Sequence, residues 1–131
     1  MIDVMHTAIA GLRVSVQRLA VAADNVANAS SSGRLEPYDG YAPQRLDQGT
    51  HDGGAPHGIV RPIDNLAFPA YSPTDPLANT DGIVGMPKVS LPAQFVDLAV
   101  ARWSYAANVA VLETTNEMMR IFTDPSVDRE I

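Results

Sequence analysis

The chain has no cysteine among its 131 residues. That excludes disulfides, thiol catalysis and cysteine-ligated zinc together. Basic residues are scarce as well. Nine Lys and Arg face fifteen Asp and Glu, for a formal net charge of −6. Non-specific nucleic-acid binding and docking on anionic lipid both need clustered Lys and Arg, so both classes are disfavoured. Long hydrophobic runs are missing too. Arg13, Arg18, Asp97 and Arg102 interrupt them before they reach the roughly 20 residues of a bilayer span, so no membrane insertion is expected. The opening Met1-Ile2-Asp3-Val4-Met5-His6 lacks a basic leader, and Arg13 breaks the apolar core that a cleaved signal peptide needs. If the chain leaves the cytosol, it does so by a route that reads something else.

Glycine and proline are absent where helices need them absent. Residues 1–30 contain only Gly11, whereas 31–87 hold eight of the nine glycines and eight of the ten prolines. Residues 91–122 return to helical composition. The reading is mainly α with a small β insertion. Residues 1–30 and 88–123 form a discontinuous helical assembly domain, 31–87 a loop-rich insertion, and 124–131 a tail. The terminal helices are expected to pair as an antiparallel coiled coil.

The first helix carries an apolar stripe at Ile2, Met5, Ile9, Leu12, Val16, Leu19, Ala23 and Val26, in alternating steps of 3 and 4. That spacing is a heptad seam. Asp3 suits a helix N-terminus, and Ser30 to Gly33 reads as its stop. Gly11 weakens the helix by about 1 kcal/mol relative to Ala, or marks close contact with another helix. The second helix has Ser90 as a candidate N-cap and Pro92 in its first turn. Its stripe runs Phe95, Leu98, Arg102, Tyr105, Val109, Leu112, Asn116, Met119. Asp124-Pro125 is expected to end it. Both helices are otherwise rich in Ala. Two such helices alone would leave much apolar surface wet, so further burial is expected from neighbouring subunits. In the middle block, 58–63, 66–68 and 83–86 read as short edge strands, Gly53 to Gly58 as loop, and Asp81-Gly82 as a turn.

Catalytic and metal signals are weak. His51, Asp52 and His57 share one Gly-rich loop but show no zinc-ligand spacing. Asp75, Asn79 and Asp81 lack the acid that closes a calcium loop and read as a turn cluster. Gly49 to Gly58 has no Lys-Ser/Thr ending and is no phosphate loop. No nucleophile elbow is present. No enzyme, metal or cofactor is expected.

Leu19-Ala20-Val21-Ala22-Ala23-Asp24-Asn25-Val26-Ala27-Asn28-Ala29 resembles the N-terminal signature of the flagellar rod, hook and filament protein family. Gln94-Phe95-Val96-Asp97 and Ser104-Tyr105-Ala106-Ala107-Asn108-Val109 resemble its C-terminal half. Tyr71 to Asn79 and Asp81 to Val89 resemble the middle of its proximal rod branch. The four segments cover about three-fifths of the chain, in order. The chain departs from the family pattern at Trp103, where Arg is usual and Arg102 lies one position away, at Tyr41-Ala42, at Lys88, and in its extension from Ser126 to Ile131.

The resemblance implies a non-enzymatic subunit of the periplasmic basal-body rod. It implies export through the flagellar type III apparatus without a cleaved signal, and packing against other rod subunits and copies of itself. The terminal helices would line a central channel, with the middle outward. The expected assembly residues are Ile9, Leu12, Val16, Leu19, Asn25, Val26 and Asn28 on the first helix. On the second they are Phe95, Leu98, Tyr105, Asn108, Val109, Leu112 and Met119. The three asparagines are expected to bond between helices and fix register. Another flagellar axial protein, or a non-flagellar helical adaptor, are the competing readings.

Overall fold

The computed structural model describes residues 2–64 and 66–123. The expected helix stop at Asp124-Pro125 and the tail 124–131 lie outside the described residues. The order of elements is α1 (Ile2–Ala27), β1 (Gln44–Thr50), β2 (Pro56–Pro62), β3 (Ala67–Tyr71), β4 (Ile83–Pro87) and α2 (Leu91–Thr123).

Asp3 lies in the first turn of α1, where its charge favours the helix dipole. The helix ends as Asn28 N–H and Asn28 Nδ2 both donate to Asp24 O, and Ser31 donates to Asn28 O. In α2, Gln94 N–H donates to Ser90 O, so Ser90 stands at the capping position and Pro92 in the first turn forfeits no bond. By length and composition α2 is apolar enough to cross a bilayer. That corrects the expectation drawn from its interruptions: Asp97 and Arg102 are too few to make the helix polar, and little of its most apolar stretch is buried.

The helices lie side by side. Asn25 meets Gln94, Arg18 meets Asp97, and Gly11 meets Asn108, so partner numbers rise on α2 as they fall on α1. The row that faces the partner is not the apolar stripe. It is the row one residue earlier: Ala8, Gly11, Ser15, Ala22 and Asn25 are buried, with half-buried Arg18 between them. On α2 the buried positions are Gln94, Ala101 and Thr115. Small side chains let two helix backbones approach, and the approach is close at Gly11. A Cβ built there would sit 2.5 Å from Asn108 Oδ1. Ser15 and Thr115 are tolerated in the seam because their hydroxyls donate to Gly11 O and Val111 O of their own helices.

Two antiparallel hairpins form the insertion. β1 pairs with β2 from Gln44↔Pro62 to Thr50↔Pro56, and β3 pairs with β4 from Ala67↔Pro87 to Tyr71↔Ile83. The expected strand at 58–63 begins at Pro56, and prolines close β2 at both ends, as edge strands permit. β1 lies in the loop-rich insertion where no strand was read from the sequence. Its sequence Gln-Arg-Leu-Asp-Gln-Gly-Thr is poor in strand formers, and the ladder to β2 holds it together with Asp47, which pairs with Arg45 (3.2 Å) and Arg61 (3.5 Å). This hairpin packs on α1, with Gly58 close to Gln17. The second hairpin is tied back by reciprocal bonds between Gly33 and Gly85 (2.9 and 2.8 Å). At the turn, Gly82 has a φ of 74°, and Asn79 Oδ1 accepts from the Asp81 and Ile83 amides. Asp75 Oδ1 accepts from the Leu77 amide in the same loop.

Among the described residues the buried apolar side chains are Ala8, Val14, Val21, Ala22, Val84 and Ala101, and none of these is Leu, Ile, Phe, Met, Tyr or Trp. The subunit therefore holds its larger apolar side chains at least partly in water, and that decides where a functional surface is to be sought.

Candidate assembly interface

Where the helices meet the first hairpin, the molecule is pinned by one amide. Asn25 is 1% exposed. Its Nδ2 donates to Gln44 O (2.7 Å) and Gln94 Oε1 (2.9 Å), and its Oδ1 accepts from Tyr41 Oη (3.0 Å) and Gln44 N (2.9 Å). Both donors and both acceptor sites are used, so α1, α2 and the start of β1 are joined at one point. Burial raises the Tyr41 phenol above its ordinary value, and Asp24 adds to the shift. Tyr38 is raised in the same way, by burial and then by Asp39, and its hydroxyl donates to Tyr41 O. Two turns towards the middle of α1, Arg18 reaches Asp97 of α2 (3.2 Å) and Gln48 of β1 (3.1 Å).

The two apolar stripes flank one groove. Val16 and Leu19 of α1 and Leu98, Arg102 and Tyr105 of α2 border it, with Ser15 and Ala101 of the seam also lining it. Its volume is about 490 Å³. Val16 is 51%, Leu19 47% and Tyr105 45% exposed. Phe95 and Ile9 on the same stripes are also exposed, while Leu12, Val26, Leu98, Val109 and Leu112 are half-buried. Met119 lies far along α2, past the part of it that α1 flanks through its central contacts.

The asparagines separate. Asn25 is buried by bonds within its own chain, and the one to Gln94 crosses from α1 to α2, as expected of it. Asn28 and Asn108 donate to Asp24 O and Ser104 O of their own helices rather than across helices. Asn108 acts on the pairing by filling the space that Gly11 leaves. Ala8 and Ser15 were not singled out from the sequence. The available signal was the heptad of small residues at 8, 15 and 22, parallel to the larger stripe. His51 and His57 stack with ring centres 4.2 Å apart at the end of the first hairpin.

Comparison with known proteins fixes the class. Over 124 residues the chain is 36% identical to the flagellar basal-body rod protein FlgC of Escherichia coli O157:H7, covering 91% of this chain and 92% of that one. It is 34% identical to FlgC of Yersinia enterocolitica over the same span. It is 32% identical to FlgC of Agrobacterium fabrum over 115 residues, 83% of each chain. The chain belongs to the FlgC family. It has the structural role of a flagellar basal-body rod protein, associated with other rod components. No protein-family model matches it. The FlgC relatives extend across both helices and both hairpins, so the resemblance seen in four short segments holds over nearly the whole chain.

Proposed function

We propose that the subunit enters the rod through the groove between its terminal helices. In this reading 1–30 and 88–123 act as one assembly domain, paired as an antiparallel coiled coil, and 31–87 is an outward insertion. The observation that supports it most is the sorting of side chains. Small residues occupy the contact between the helices, and large apolar ones border an open groove beside it. Covering a Leu, Val or aromatic side chain contributes about 1.5–3 kcal/mol each. Several of them on one face supply a driving force for association that the lone subunit leaves unused.

The partners are other rod subunits and copies of the same chain, gathered in the periplasm around the drive shaft that carries torque. The export route is the flagellar type III apparatus, without a cleaved signal. The apolarity of α2 serves subunit packing rather than a bilayer. The role is structural, without catalysis or cofactor.

The test is Leu19→Asp in the full chain. Leu19 is half in water already, so the purified variant should keep its urea midpoint, with a stability change within about 0.5 kcal/mol. It should be absent from isolated basal bodies, and its host should not swim. Normal incorporation of the variant would refute the groove as an assembly face.

A further inference from the structure

We propose that residues 124–131 of this chain fold back on its own helices and lay Val127 and Ile131 in an open depression at their far end. The site lies on the side of the helix pair opposite the assembly groove, and neither depends on the other.

Counted at 100° per residue from Ser15 and Ala101 in the seam, Val16 and Arg102 stand about 100° to one side, Thr7 and Val111 about 80° to the other. The near half of this second side is covered by the insertion. Val14 and Val21 are buried there, and Val21 shares a small cavity with Leu46 and Ile63. The far half is open. Two depressions of about 390 and 320 Å³ meet at Val4 and Val111. Thr114 and Met118 border one, Asp3 and Thr7 the other. Val4, Val111 and Met118 are exposed.

The segment that follows α2 reads Asp-Pro-Ser-Val-Asp-Arg-Glu-Ile. Pro125 disfavours helix at Asp124 and gives the chain a place to turn. In an extended run alternate side chains share a face, so Val127, Arg129 and Ile131 point one way and Asp128 and Glu130 the other. Extended chain puts Val127 and Ile131 about 13 Å apart. Met118 and Val111 are about 10.5 Å apart along the helix axis. From Thr123, Val127 has about 13 Å of reach, and Met118 lies about 7.5 Å back along the axis. Val127 therefore reaches Met118, and Ile131 reaches Val111. With Asn25 beside Gln94 and Gly11 beside Asn108, Asp3 is level with Asn116, between those two points. Arg129 arrives at that level. Asp3 has no ion-pair partner among the described residues, so the charges match. The carboxylates of Asp128 and Glu130 stay in water. The tail thus shields apolar surface of the free subunit that the insertion does not reach.

The absence of cysteine makes the contact directly readable. Purified chain carrying Val111→Cys and Ile131→Cys, oxidised in dilute solution, should close a disulfide within one molecule and remain a 14.0 kDa monomer without free thiol. Ile9→Cys with Ile131→Cys is the control, because Ile9 stands at nearly the same level on the opposite side. It should close at least about tenfold more slowly, since a docked tail has a high effective concentration only at its own site. Equal closure rates for the two pairs, or dimers in place of closed monomers, would overturn the proposal. In the full chain without cysteine, Val127→Asp with Ile131→Asp should speed amide exchange from Val111 to Met118 by about threefold or more and leave Asn25 and Gln94 unchanged. Both substitutions lie beyond α2, so circular dichroism should show the same helix content. Unaltered exchange in that variant would also overturn the docked tail.

Discussion

Two rows of residues run along the same pair of helices, one position apart, and they do different work. The inner row, Ala8, Gly11, Ser15 and Ala22 with Ala101 and Thr115, brings the backbones together. The outer row, Val16, Leu19, Leu98 and Tyr105, stands in water. Hydrophobicity alone would put the outer row inside. Steric fit reverses the order, because small side chains permit a shorter interhelical distance and leave the large ones free for a partner. On the assembly reading proposed above, stability and association are carried by neighbouring rows of the same helices, and substitutions can separate them.

The largest effect on the inner side should come from Asn25→Ala. It leaves the Gln94 amide, the Gln44 amide and carbonyl, and the Tyr41 hydroxyl without their buried partner, at a cost of about 3 kcal/mol. Urea denaturation of the purified chain should show a lower midpoint, in contrast to the near-neutral Leu19→Asp. Equal stability losses in the two variants would erase the distinction between the rows.

Gly11→Ala should cost about 1–2 kcal/mol, because the new methyl displaces the Asn108 amide from Ser104 O. Adding Asn108→Ala should recover this and leave a small net gain, since Ala exceeds Gly in helix propensity by about 1 kcal/mol. A double variant no more stable than Gly11→Ala would mean that the close approach is not what Gly11 provides.

Arg18→Ala removes a partly exposed ion pair and a bond to Gln48, and should lower stability by about 1 kcal/mol, less at high salt. Hydrogen exchange should rise in β1 more than at the free end of the helices, because Arg18 links α1 to that strand.

The smallest effect lies in the insertion. The Asp75 carboxyl is held below its ordinary value of 3.8, first by a hydrogen bond from Ser32 and then by the Leu77 amide. A carboxyl depressed in the fold adds stability that is fully present above the ordinary value and is lost as pH falls through the folded one. Asp75→Asn keeps an oxygen for the Leu77 amide but does not titrate. Its stability difference from the parent should be constant above that range and change only in acid, measured by thermal unfolding across pH. A difference that also moves near neutrality would point to another group.

Both helices were legible because their apolar periodicity runs over many turns and Gly and Pro are kept out. β3 and β4 were legible as strands, the second from Asp81-Gly82 and the apolar run after it, but their pairing was not read. β1 was not, because a polar strand held by a cross-strand ladder and by Asp47 between two arginines carries no hydrophobic alternation. The facing row was not legible either. Rows one residue apart differ by only 100° around the axis, and periodicity reports that a stripe exists, not which side of it the partner chooses. The Asn25 cluster depends on where residues 41–44 pass, and no local pattern encodes that path. The stripes named from sequence did converge on one groove, since Val16, Leu19, Leu98 and Tyr105 all border it.

The helices also differ in length. α1 has 26 residues and α2 has 33. With Asn25 beside Gln94 and Gly11 beside Asn108, the surplus falls at the end away from the hairpins, where Ile121 and Phe122 are exposed. One end of the subunit is thus capped by folded chain, whereas at the other, among the described residues, α2 runs on past α1 by itself. An array built from such a piece has a top and a bottom, and a growing tip offers newcomers a different surface from the one it leaves behind.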